Sequence, residues 1–224
     1  MSFSSDLDGL DLLVVPVTAF EQNCAILWDP VSRHAVVVDP GGDVPRVMRE
    51  LEARDLTLDA ILLTHGHLDH AGGADALRTA ASRRQGAMVP VIGPDARDAF
   101  LLSGIAAQAA HFGLDGMQDV AVDRYVADND TLSLLGRTFL VRHVPGHTPG
   151  HVVFHDAHAR FAFVGDTLFR GSVGRTDFPY GDGPLLIRMI AERLLPLGDD
   201  VTILPGHGGM TTIGQERRGN PLLH

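Results

Sequence analysis

The chain has one cysteine, Cys24, which excludes an internal disulfide. Its neighbours Ala25-Ile26-Leu27-Trp28 read as a strand, and a free cysteine in such company is a small buried hydrophobe. Long apolar runs are missing as well: none approaches the roughly 20 residues that span a bilayer. The segment from Met1 to Gly9 is polar and acidic, without the basic-then-apolar order of a secretory leader. A cytoplasmic enzyme with no membrane partner is therefore expected. Cationic excess is missing too. Eighteen Lys and Arg stand against 28 Asp and Glu, a net charge of -10, which argues against broad nucleic-acid binding. There is no low-complexity tract and no Pro/Ser-rich linker, so 224 residues, 45% apolar and 21% charged, read as one domain over 1–224.

What the chain has instead is clustered histidine. Thr64-His65-Gly66-His67-Leu68-Asp69-His70 packs three imidazoles and a carboxylate into seven residues, directly after apolar Ala60-Ile61-Leu62-Leu63. An apolar run of this length reads as a buried strand, and the glycine-containing segment after it lets several side chains turn toward one point. Such nitrogen and oxygen ligands suit zinc, and also iron or manganese. The spacing is not the helical i, i+4 pair of the H-E-x-x-H proteases, so a strand-end loop entering a helix is expected.

The surrounding pattern is regular. Leu10 to Thr18, Asn23 to Asp29 and Ala35 to Asp39 read as an opening antiparallel meander, followed by a helix from Val44 to Arg54. After the strand ending at Leu63 come a helix from about His70 to Arg83 and a short strand at Val89 to Ile92. Pro94 to Gly116 is alanine-rich and helical in composition, interrupted at Gly104 and Gly113. The second half repeats the logic. Strands are expected near Thr131 to Leu134, Arg137 to His143, Val152 to His155 and Arg160 to Val164, then a helix over Pro184 to Leu194 and a strand at Val201 to Leu204. Two such halves packed sheet against sheet make an α/β fold of four layers, an αββα sandwich.

Three further strand exits carry a metal-binding side chain. His147 lies in Val144-Pro145-Gly146-His147-Thr148-Pro149-Gly150-His151, a loop stiffened by prolines and glycines. Asp166 follows Phe161-Ala162-Phe163-Val164-Gly165, and His207 follows Val201-Thr202-Ile203-Leu204-Pro205-Gly206. With these in place the chain resembles the metallo-β-lactamase-fold hydrolases, matching their motifs in order along nearly its whole length. The resemblance implies that His65, His67 and His147 hold a first metal, Asp69, His70 and His207 a second, and that Asp166 bridges them. His151 is left between supporting a ligand and a structural role in its loop. His143 reads as facing the core, while surface positions account for His34, His111, His155, His158 and His224. Asp39, in Val38-Asp39-Pro40-Gly41-Gly42, resembles the family's strand-end carboxylate that accepts a hydrogen bond from a metal-bound imidazole; a plain turn-forming aspartate is the alternative.

Two divalent ions about 3.5 to 4 Å apart can share a water, lower its pKa and polarise a substrate oxygen. A metal-bridging hydroxide as nucleophile is then expected, with Asp69 orienting it. The fold alone does not select the bond that is cut. Gly165-Asp166-Thr167-Leu168-Phe169-Arg170-Gly171-Ser172-Val173-Gly174-Arg175-Thr176-Asp177-Phe178-Pro179 resembles the small bacterial type of glyoxalase II, a hydroxyacylglutathione hydrolase. Leu194-Leu195-Pro196-Leu197-Gly198-Asp199-Asp200 and Gly219-Asn220-Pro221 carry the same resemblance. It implies hydrolysis of a small-molecule thioester, S-lactoylglutathione, with two ions, zinc first and iron or manganese acceptable. Arg175 and Arg170 are the candidates for meeting the carboxylates of glutathione. A salt bridge from Arg175 to Asp177 is the alternative, as is a solvated helical face for Arg217 and Arg218. Rival readings are a persulfide dioxygenase of this fold, with one iron on the His67 side held with His147 and Asp166, a phosphodiesterase, and a binding protein that has lost catalysis.

Overall fold

The structure, a computed structural model, describes the backbone of residues 3–224 and side chains from Leu7 onward. Strand β2 (Asp11–Val17) shows how its layers arise. Leu12 and Val14 enter one apolar cluster, while Leu13, Val15 and Val17 enter another. Alternate side chains point to opposite faces, so a strand buried on both must lie between two layers. The same division holds along β3 (Gln22–Trp28), β4 (His34–Val38) and β5 (Thr57–Leu62). With β1 (Phe3–Asp6) and β6 (Val91–Ile92) they form a six-stranded sheet in the order β1-β2-β3-β4-β5-β6.

The second sheet contains β7 (Thr131–Leu134), β8 (Arg137–His143), β9 (Val152–Asp156), β10 (Phe161–Gly165), β13 (Thr202–Pro205) and β14 (Thr211–Thr212). Its order is β14-β13-β10-β9-β8-β7. Between the sheets Leu12, Leu27, Val36 and Leu62 share a core with Phe139, Val141, Phe154 and Phe163. Outside the first sheet, Val47 and Leu51 of α1 (Val44–Ala53) and Leu77 and Ala81 of α3 (Ala74–Gln85) close a second core. Outside the second, Leu186 of α6 (Gly183–Met189), Ile190 and Leu194 of the π turn after it, and Ile213 of α7 (Ile213–Gly219) cover Val153, Ala162, Val164 and Ile203. Three cores separate four layers, in the αββα order expected from the sequence.

Strand direction places the site. β4, β5 and β6 pair in parallel, as do β10 and β13, and two antiparallel steps from β10 through β9 bring β8 into the same sense. Their C-terminal exits therefore gather at one edge. Val152 N–H donates to Thr64 O at 2.8 Å and Asn23 N–H to Gly206 O at 2.7 Å, so backbone bonds lock the sheets together there.

The single helix expected over His70 to Arg83 is two helices, α2 (Leu68–Ala71) and α3, broken at Gly72-Gly73. A Cβ on Gly73 would lie 2.5 Å from Pro40 O, and one on Gly41 only 1.4 Å from Asp69 O. The β4 exit thus passes flush against the ligand segment, and the break lets it. The alanine-rich stretch resolves into a 3-10 turn at Ala96–Asp98, α4 (Ala99–Leu102) and α5 (Ile105–His111), interrupted at Gly104 as expected. The hairpin of β11 (Leu168–Phe169) and β12 (Ser172–Val173), like β1 and β14, has no counterpart in the sequence reading. No helix among the described residues is long and apolar enough to cross a membrane.

Candidate metal centre

Two residues past β5 the backbone turns inward, bringing His65 and His67 onto His147 from the loop after β8. His67 Nδ1 lies 3.1 Å from His65 Nε2 and 2.9 Å from His147 Nε2. All three rings are buried. A second group forms from Asp69 and His70 on α2 and His207 after β13, where His207 Nε2 is 3.2 Å from Asp69 Oδ2. Asp166, at the exit of β10, stands between the groups. Its Oδ1 is 3.3 Å from His70 Nε2, and its Oδ2 is 3.6 Å from His147 Nε2 and 3.7 Å from His207 Nε2. All seven candidate ligands named from the sequence thus converge on one constellation.

The outward nitrogens decide what the inward ones can do. His65 Nδ1 faces Thr64 Oγ1 at 3.1 Å, His67 Nε2 the Tyr180 hydroxyl at 2.9 Å, and His70 Nδ1 Asp39 Oδ2 at 2.9 Å. His147 Nδ1 faces Arg175 O at 2.7 Å, and His207 Nδ1 faces Phe20 O at 3.1 Å. Each partner offers an acceptor, which fixes a proton on the outward nitrogen and leaves the inward lone pair free, the arrangement of metal-binding histidines. Lone pairs converging at about 3 Å repel unless positive charge lies among them. The buried His70 Nε2 and Asp166 Oδ1 have no hydrogen-bond partner, although such groups are normally satisfied. The residues present therefore fit divalent metal ions. Nitrogen and carboxylate donors without sulfur admit zinc, iron or manganese.

Electrostatics agree. Burial, reinforced by neighbouring imidazoles, drives the pKa of His65 well below its ordinary value and that of His67 down to about 3. Burial also lowers His147, with Asp166 partly offsetting it. For His70 burial works the same way, but the Asp166 and Asp69 carboxylates overcome it and hold its pKa well above 6.5. In the metal-free protein a second proton on His70 Nε2 thus takes the place that a metal ion would hold beside these carboxylates. Asp166 is held far below the usual carboxylate range, because the surrounding histidines outweigh its burial.

Support comes from residues that the sequence reading did and did not single out. Asp39 is the acceptor it was expected to be: besides His70 it takes Thr64 N–H at 2.7 Å and the Thr64 hydroxyl at 2.6 Å. His151 supports a ligand, its Nε2 accepting from Asp166 N–H at 3.0 Å. Asp98 was missed. Fully buried, its carboxylate accepts Gly66 N–H at 2.9 Å, the Thr148 hydroxyl at 2.7 Å and Gly150 N–H at 2.6 Å, clamping the two loops that carry the first three histidines. Tyr180 was missed as well, one residue beyond the motif. His143 is half-buried and donates to Pro149 O at 2.8 Å. His155 corrects an expectation. It lies on β9 beside Val153, turned away from the inter-sheet core, and is buried rather than at the surface.

A cleft of about 440 Å³ opens over the centre and is lined by His67, Asp69, His147, Asp166 and His207. Arg175 borders it, but its Nε and Nη2 donate to both oxygens of Asp177 at 2.7 and 2.8 Å, so the pairing alternative is the one formed. Arg170 points elsewhere, into a neighbouring cavity of about 750 Å³, donating to Met210 O. Arg217 and Arg218 pair with Asp199.

The layer order and this histidine–aspartate edge define a metallohydrolase fold, and residues 17–207 match the Metallo-beta-lactamase superfamily. The chain belongs to that superfamily and is a metal-dependent hydrolase. It is 44% identical to hydroxyacylglutathione hydrolase GloC of Haemophilus influenzae over 216 residues, 96% of this chain and 99% of the relative. Among solved structures, the BLEG-1 B3 metallo-beta-lactamase superposes with a TM-score of 0.85 at 34% identity, covering 95% of this chain and 99% of the other. A protein solved in a di-iron-bound form, TTHA1623, gives 0.81 at 34% identity, covering 94% and 99%.

Proposed function

We propose that the protein hydrolyses 2-hydroxyacyl thioesters of glutathione, with S-lactoylglutathione giving lactate and glutathione. The observation that carries this reading is near full-length similarity to a hydroxyacylglutathione hydrolase, in a chain whose seven candidate ligands converge at one cleft. When bound, two divalent ions would supply a water of lowered pKa and polarise the thioester carbonyl. His65, His67 and His147 would hold the first, Asp69, His70 and His207 the second, and Asp166 both. Zinc is the proposed occupant, and iron suits the same donors.

The remaining chemistry belongs to the chain. Asp69, part-exposed at the floor of the cleft, orients the attacking water. The water gives up a proton to solvent, its oxygen bonds to the acyl carbon, the carbon–sulfur bond breaks with the sulfur keeping the electron pair, and the acid formed loses its remaining proton to solvent. A thiol of pKa about 8.5 leaves as thiolate with little acid assistance, so no dedicated proton donor is needed. The lone cysteine does not compete as a nucleophile: Cys24 is fully buried, and burial pushes its thiol far above the ordinary range.

The test is thioester loss from S-lactoylglutathione by metal-analysed protein, with oxygen uptake on glutathione persulfide followed on the same sample. Hydrolysis without oxygen uptake is expected. The reverse pattern would replace this reading with the dioxygenase.

A further inference from the structure

Five aromatic side chains of this aromatic-poor chain meet at one place. Phe20, Phe112, Phe169, Phe178 and Tyr180 all line the metal cleft, joined by Leu68. Phe178 and Tyr180 stack with ring centroids 5.4 Å apart, and Phe100 packs edge-on against Tyr180 at 5.4 Å. Phe178 reaches the centre itself, 4.8 Å from the His67 ring. Phe20 and Phe112 are 43% and 61% exposed at the mouth. Apolar surface left in water beside reacting groups is what a substrate's apolar portion would cover.

Charge points the same way. The chain has no lysine, so arginine is its only fixed cation. The one arginine at this cleft, Arg175, is tied to Asp177 and lies over the Phe178 ring at 4.7 Å. The adjoining larger cavity differs. It shares Phe20 and His207 with the cleft but carries Arg170, Glu21 and Asn23. A thioester with its carbonyl at the centre has two ends to place, and although Val14, Pro16, Leu204 and Met210 also line the neighbouring cavity, its Arg170 bonds a carbonyl, Met210 O, where Arg175 in the cleft is neutralised by a carboxylate.

Resting on the thioesterase reading, we propose that the cleft is an acyl pocket for bulky apolar groups, aryl 2-hydroxyacyl above all, with the charged thiol carrier directed past His207 toward Arg170. A lactoyl methyl fills little of 440 Å³, whereas a phenyl ring brings apolar surface to match the aromatic lining of the cleft. Aromatic contacts of this kind act through burial and ring-edge geometry.

The test compares S-mandeloylglutathione with S-lactoylglutathione, which share the carrier and the 2-hydroxyl and differ in phenyl against methyl. On fully metallated protein, kcat/KM for the mandeloyl substrate should exceed that for the lactoyl by roughly tenfold or more. Binding made equally in ground and transition states appears in KM, so the gain is read there, whereas electronic activation of the carbonyl would appear in kcat. Phe178→Leu and Phe112→Ser, with metal content checked, should each lower the mandeloyl-to-lactoyl ratio several-fold. Equal KM values, or a ratio unmoved by both variants, overturn the acyl pocket and leave the thioesterase reading standing. Hydrolysis of neither substrate overturns the thioesterase reading and the acyl pocket with it.

Discussion

Gly206 shows how little room surrounds the shared carboxylate. A methyl group there would lie 2.2 Å from Asp166 Oδ1 and 2.4 Å from His70 Cε1, so Gly206→Ala must displace two candidate ligands, the shared carboxylate and a histidine of the second group. Overpacking of this kind costs about 1–3 kcal/mol, and misplacing Asp166 compounds it. We expect a lowered Tm and less than one bound ion per chain by elemental analysis; two retained ions would refute the steric argument. Asp166→Ala acts by removal, taking away a carboxylate within 3.7 Å of histidines from both clusters. Both ions and the hydrolytic activity should be lost, and His67→Ala should do the same, while full activity in either variant would sink the site. The seven candidate ligands were readable because each follows an apolar run at a strand exit. Tyr180 was not, because nothing local marks a tyrosine as the acceptor for an imidazole 113 positions away.

Asp98 joins elements that the sequence keeps apart. It sits at the end of the 3-10 turn before α4, yet its three donors lie on the β5 and β8 exit loops. Burial pushes its pKa up and these donors pull against that, so it holds the loops as an acceptor without a countercharge. Asp98→Asn turns one acceptor into a donor facing either Gly66 N–H or Gly150 N–H. A buried donor left unpaired costs about 1–3 kcal/mol. Thermal melts should show that loss, and titration with zinc should show weaker binding by the first three histidines, with Thr148→Val milder because one hydroxyl donor is removed. Unchanged metal affinity in Asp98→Asn would mean that the clamp does not position the ligands. An aspartate in Asp95-Ala96-Arg97-Asp98 reads locally as a helix start, and its longer-range role appears only on folding. The Gly72-Gly73 break was hidden for a related reason. Helical periodicity runs across it, and the cause is the approach of Pro40 from another loop. β1 and β14 are short edge strands whose pairing partners, not their own sequences, define them.

At the scale of the whole molecule, the site burdens the fold that houses it. His65, His67, His147 and His151 are buried and held neutral, their pKa values lowered chiefly by burial. In the unfolded chain they titrate near 6.5. Below that pH the unfolded state therefore binds more protons than the folded one, by up to four from these residues, and stability falls as pH falls. The loss begins near pH 6.5 and continues toward the folded values, about 3 for His67. His70 and His207 have the opposite sign. Their carboxylate neighbours raise them against burial, so their contribution is complete below pH 6.5 and is lost as pH rises through the folded values. Metal-free protein should accordingly be most stable near pH 6.5, with Tm falling steeply to pH 4.5 and more gently above neutrality. Metal shifts this balance, since ions need the deprotonated imidazoles and stabilise the state that binds them. Loaded protein should melt higher at pH 7 and lose that increment over the same acid range as the ions are released. A Tm of metal-free protein that stays flat from pH 7 to 4.5 would show that the buried histidines are not held neutral, removing the electrostatic argument for a preformed centre.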